Sequence, residues 1–138
     1  MFSSLNVPQQ QAFNALKNHH NRLQQPQIVC MPTGTGKTGV IAMLSTIYTN
    51  NNLNNNNLNN NKRVVFVIVP SYALVRQTEL AIKDMLLDRL HYPAQCVHIE
   101  CLQSLSHLLS LIADKNDIEI KHTFWICNIH KLYRMTES

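Results

Sequence analysis

The run Pro32-Thr33-Gly34-Thr35-Gly36-Lys37-Thr38 decides how this chain is read. Before it stands Gln27-Ile28-Val29-Cys30-Met31, a short apolar stretch with strand character. After it, from Lys37 to Tyr48, Val40, Ile41, Leu44, Ile47 and Tyr48 recur at helical spacing. All three glycines of the chain fall between positions 34 and 39. No other turn uses glycine, so Gly34 and Gly36 mark a place that needs backbone freedom or close backbone approach. A strand, a Gly-rich loop ending in Gly-Lys-Thr and then a helix are the parts of a phosphate-binding loop. N–H groups of the loop and of the first helical turn would cradle a β-phosphate, helped by the positive end of the helix. Lys37 would reach the β- and γ-phosphates as a point charge, and the Thr38 hydroxyl would take one place on Mg²⁺. The general pattern has Gly where this chain has Met31, and Pro32 biases Met31 toward extended geometry, so the turn is made differently. The competing reading is a Gly-rich turn that binds nothing.

Working outward, Pro8 to Leu23 reads as a helix with Ala12, Leu16 and Leu23 on one face. Downstream, ten of the twelve residues from Asn50 to Asn61 are Asn, which disfavours helix and strand interiors. Residues 50–61 are therefore expected to be a disordered insertion, tolerated because loop-closure cost grows slowly with length. Arg63 to Val69 reads as a strand buried on both faces and Leu74 to Leu90 as a helix. Gln95 to Glu100 follows as a third strand. Leu102, Leu105, Leu108, Leu109 and Ile112 keep helical spacing, and Thr123 to Cys127 is a fourth strand with a short helix after Ile129. This alternation predicts an α/β fold, a parallel sheet with helices on both faces.

The whole chain has 138 residues, enough for one domain with an ordinary core. Its longest uninterrupted apolar run, Val64 to Val69, is far short of a membrane span, and no signal peptide opens the sequence. An intracellular protein without membrane contact is expected. The formal charge of +4 is unevenly placed, for residues 1–78 hold no Asp or Glu at all. An acid-free half suits an anionic ligand, nucleotide or nucleic acid, although a chance imbalance on a solvated surface gives the same count. Cys30, Cys96, Cys101 and Cys127 lack CxxC spacing and read as reduced thiols. Cys96, His98 and Cys101 have no second cluster to complete a zinc site, and the alternation there reads as strand.

Met31-Pro32-Thr33-Gly34-Thr35-Gly36-Lys37-Thr38 resembles motif I of superfamily-2 helicases and translocases, with a spelling most like their restriction-enzyme and repair branch. Val69-Pro70-Ser71-Tyr72-Ala73-Leu74-Val75-Arg76-Gln77 is similar to that family's motif Ia, which touches the sugar-phosphate backbone of bound nucleic acid. The resemblance places Pro70, Ser71, Arg76 and Gln77 on that track, and a helix start bearing a hydroxyl and an Arg is chemically suited to it. Pro8-Gln9-Gln10-Gln11-Ala12-Phe13 resembles the family's adenine-side segment, with Gln9 on the adenine-reading Gln. Asn6 and Pro8 replace the usual Arg and aromatic. Phe124 to Leu132 resembles the strand-Thr-x-x-x-Leu element of the family, with Asn128 in place of Thr.

The resemblance implies a P-loop NTPase (RecA-like) ATP-binding domain over residues 1–138, using ATP and Mg²⁺, with Pro32, Thr33, Gly34, Thr35, Gly36, Lys37, Thr38 and Gln9 around the nucleotide. Lys37 takes the catalytic role and Thr38 the Mg²⁺. It implies a nucleic-acid partner, DNA in preference to RNA on the motif I spelling. Hydrolysis in the family uses an Asp-Glu pair and a second RecA-like domain. No Asp-Glu step occurs here, so an incomplete domain with one unprotected sheet edge and poor solubility is expected. A non-catalytic nucleotide- or nucleic-acid-binding module and a truncated product without a stable fold remain as alternatives.

Overall fold

The computed structural model describes residues 5–18, 28–31, 34, 36–52, 64–114 and 122–137. Helix α1 (Val7–Asn18) and helix α2 (Lys37–Asn52) precede strand β1 (Val65–Val69). Helix α3 (Tyr72–Lys83) continues into a π-helical stretch, Asp84–Arg89. A 3₁₀ turn (Ala94–Cys96), strand β2 (Val97–Cys101), helix α4 (Leu105–Ala113), strand β3 (His122–Asn128) and helix α5 (Ile129–Glu137) complete the order.

The strands form a parallel sheet in the order β1-β3-β2. Val67 lies beside Ile126 and Ile99 beside Phe124, so β3 sits between the other two. Each crossover carries a helix, as parallel pairing requires. Every residue of β3 is buried, because it has strand neighbours on both edges and helices over both faces. Phe124 and Ile126 point into a core built with Phe13 of α1, Ala42, Met43 and Ile47 of α2, and Ile82, Met85 and Leu86 of α3 and its π extension. Trp125 and Cys127 point the other way, to Leu111 of α4 and Met135 of α5. Fully burying a side chain such as Phe124 contributes roughly 1.5–3 kcal/mol. The expected α/β architecture with a parallel sheet and helices on both faces is therefore present.

The first expected strand is not. Residues 28–31 carry no strand; Ile28 is 89% and Val29 42% exposed. An apolar run becomes a strand only when another strand supplies its ladder partners, and none of the described strands flanks this run. Gln27, and residues 19–23 of the expected first helix, lie outside the described residues. Helix α2 also runs to Asn52, into the Asn-rich tract. Extending a formed helix costs far less than starting one, and Asn is only a moderately poor former. The rest of the tract, from residue 53, is outside the described residues.

The helix read from Leu74 to Leu90 changes character at Asp84. Leu90 N donates to Met85 O at 3.0 Å, five residues back, and Met85 and Leu86 are consecutively buried. His91 then takes a left-handed φ of 60° and ends the segment ahead of Pro93. Strand β1 is an edge of the described sheet, with Phe66 40% and Ile68 49% exposed on the face away from the larger core.

Candidate nucleotide and nucleic-acid sites

Gly34 and Gly36 have φ of 83° and 87°, the left-handed region that L side chains rarely adopt. Helix α2 starts at the next residue, Lys37, so the N–H groups of its first turn have no partner inside the helix. At Gly34 the space a Cβ would fill is open, with nothing within 4 Å. An anion can approach the backbone there. Lys37 is exposed and Thr38 half-buried at the helix start. A bare backbone at Gly34, orphan amides, an ammonium and a hydroxyl are the donors that a magnesium–triphosphate needs, so these residues fit that group. Pro32, Thr33 and Thr35 lie outside the described residues.

Gln9 is 4% exposed and reaches this loop from α1. Its Nε2 donates to Gly36 O at 2.9 Å, and its Oε1 accepts from Asn6 N at 3.0 Å. Gly36 O also accepts from Gly39 N at 3.0 Å, so both its acceptor directions are used. The structure thus brings Gln9, Gly36 and the start of α2 together.

The stretch resembling motif Ia, from Val69, sits at the carboxyl end of β1. Ser71 is the N-cap of α3, its Oγ accepting from Leu74 N at 3.4 Å. Pro70, Ser71, Arg76 and Gln77 are all exposed. Arg76 is not a free cation: its Nη1 lies 2.6 Å from Glu79 Oε1, and Lys83 stands 3.5 Å from the other carboxylate oxygen.

Arg76 lines an open pocket of about 180 Å³ at the carboxyl ends of the strands, with Tyr72, Glu79, Gln103, Asn128 and Lys131. Sequence reading missed the last three as site residues. Asn128 caps α5, its Oδ1 accepting from His130 N at 2.7 Å and Lys131 N at 3.3 Å. Its buried Nδ2 has no hydrogen-bond partner. Asn in the family's Thr position was the visible signal, because both are N-cap residues. Lys131 donates to Gln103 Oε1 at 3.2 Å and lies 5.6 Å from the centre of the Tyr72 ring. Cys101 also lines the pocket; burial pushes its thiol up, and Glu79 adds to the effect. Pro70, Ser71 and Gln77 do not line it. Among the described residues no helix is long and apolar enough to cross a membrane.

No curated protein and no solved structure matches the chain significantly. The family model for the type III restriction enzyme, res subunit, matches residues 2–137, nearly the full length. With the parallel sheet and the Gly-Lys-Thr loop in place, the chain belongs to this family of superfamily-2 helicase-like ATPase domains.

Proposed function

We propose that this chain binds ATP with Mg²⁺ at Gly34 to Thr38 and serves as the phosphate-binding half of a nucleic-acid-dependent ATPase. The observation that carries the reading is the pair of left-handed glycines leading directly into α2 at Lys37. Amides of Gly36, Lys37 and Thr38 would hold phosphate oxygens, and Lys37 would pair with the β- and γ-phosphates. Thr38 would hold Mg²⁺, which offsets phosphate charge when bound. Pro32, Thr33 and Thr35 complete the loop by sequence.

Nucleic acid would lie across the carboxyl ends of the strands, its backbone on Pro70, Ser71, Arg76 and Gln77. The open pocket beside Arg76, with Lys131 and the unpartnered Asn128 amide, supports that placement. DNA is the preferred partner, on the restriction-enzyme description of the family. The sequence has no Asp-Glu step to hold the metal and orient water. Phosphoryl transfer rests on such positioning and charge stabilisation, so this chain binds ATP without efficient turnover.

The test is titration with a fluorescent ATP analogue and Mg²⁺ beside Lys37→Ala, following phosphate release in the same samples. Binding that Lys37→Ala removes, without release, supports the reading. Rapid release lost in Lys37→Ala contradicts the incomplete site, and no binding by a folded chain contradicts the nucleotide site itself.

A further inference from the structure

Asn6 and Gln9 form a reciprocal pair at the start of α1. Asn6 Oδ1 accepts from Gln9 N at 2.9 Å, and Gln9 Oε1 accepts from Asn6 N at 3.0 Å. Gln10 N donates to Asn6 O at 2.9 Å, which makes Asn6 the N-cap and the pair a capping box. Either Glu or Gln can serve as the second member of such a box. Only Gln leaves an N–H₂ group over, and here that group donates to Gly36 O.

The loop is shaped to receive it. A Cβ on Gly36 would fall on the Gln9 amide nitrogen, and one on Gly39 would stand 2.5 Å from the same nitrogen and 2.9 Å from Met85 Cε. Gly39 thus clears room for the Gln9 side chain rather than making a turn. In a trans peptide the C=O and the following N–H point to opposite sides. Fixing Gly36 O toward α1 therefore turns Lys37 N–H away from α1.

We propose that Gln9 is a positioning residue whose amide clamps Gly36 and sets the direction of the Lys37 amide for a triphosphate, rather than a reader of the base. Both ends of its amide are already engaged, Oε1 by Asn6 N and Nε2 by Gly36 O. One Nε2 hydrogen and one Oε1 lone pair are left, but on a side chain that is 4% exposed and held at both ends, which offers an adenine edge little to read. The site then takes triphosphates with little regard to the base. This inference rests on the nucleotide reading above.

Two variants test it. Gln9→Glu keeps the capping box and loses the donor to Gly36; Gln9→Met loses that donor and the side-chain half of the box without adding charge, the bond from residue 9 N to Asn6 Oδ1 remaining. Each is titrated with Mg²⁺ complexes of ATP, GTP and inorganic tripolyphosphate, and amide hydrogen exchange over residues 36–39 is followed without ligand. The clamp predicts faster exchange in both variants, and for Gln9→Met an equal weakening of all three probes by roughly three- to tenfold. Loss of ATP alone, with GTP and tripolyphosphate unchanged, means that Gln9 reads the base and overturns the inference. Unchanged exchange in both variants also overturns it. If the wild-type chain binds none of the probes, the nucleotide reading falls, and exchange alone decides whether Gln9 holds the loop.

Discussion

The Ser45 hydroxyl and His122 Nδ1 lie 2.8 Å apart inside the core, joining α2 to the central strand. Both residues are buried, at 4% and 1% exposure, and the Tyr92 ring packs 4.3 Å from the His122 ring. Ser45 Oγ is also 3.3 Å from Ala42 O. A hydroxyl has one hydrogen, so Ser45 either donates to Ala42 O and accepts from Nδ1–H of His122, or donates to an unprotonated Nδ1, according to the His122 tautomer. Ser45→Ala strips a buried ring nitrogen of this partner and is expected to lower stability by about 1–3 kcal/mol, read from urea unfolding. An unchanged midpoint would show that the bond contributes nothing.

The two left-handed glycines separate in the same assay. Gly34→Ala meets open space and carries only the backbone penalty, about 1 kcal/mol. Gly36→Ala adds a clash with the Gln9 amide, and loss of the clamp brings the expected cost to about 2–3 kcal/mol. Equal costs for the two would contradict the packing described at Gly36.

Glu79 holds Arg76, which on the proposed nucleic-acid track would weaken its hold on a phosphate. Glu79→Gln is expected to tighten single-stranded DNA binding a few-fold, roughly 0.5 kcal/mol, since Arg76 is 68% exposed and the pair is screened. Arg76→Ala is expected to weaken binding and to lower the slope of log affinity against log salt by about 1. Fluorescence anisotropy over a salt series reads both. Weaker binding in Glu79→Gln would remove Arg76 from the track.

Thiol chemistry follows burial. Cys30 is exposed, whereas burial pushes the thiols of Cys101 and Cys127 up. A raised thiol holds less thiolate at neutral pH and reacts more slowly. At pH 7.5 an alkylating reagent should therefore modify Cys30 first and Cys101 and Cys127 last, as peptide mass spectrometry would show. Raising the pH narrows the gap. Cys127 reacting as fast as Cys30 would contradict a buried β3.

Much of this fold was legible from local pattern. Val65–Val69 and Phe124–Cys127 are apolar runs that become strands because each finds the other in register. The spacing of Leu105, Leu108, Leu109 and Ile112 reaches the structure as α4, but its buried face differs from the expected one: Leu111 is the buried residue, whereas Leu109 and Ile112 are exposed. Residues 28–31 are also apolar and form no strand, since pairing is non-local and apolar character does not say whether a neighbour exists. The candidate site divides the same way. Gly34, Gly36, Lys37 and Thr38 lie within five positions and are readable. The Gln9 contact crosses 27 positions to Gly36, and that of Lys131 crosses 28 to Gln103, so neither leaves a local signature. Asn6 and Gln9 have capping-box spacing, yet a Gln-rich stretch hid it.

The most direct test of the central claim is a titration of ¹⁵N-labelled protein with ATP and Mg²⁺, following the backbone amide resonances. The account predicts the largest shifts at Gly34, Gly36, Lys37 and Thr38, and their loss in Lys37→Ala. Shifts absent from that loop, or centred elsewhere and unaffected by Lys37→Ala, would contradict it.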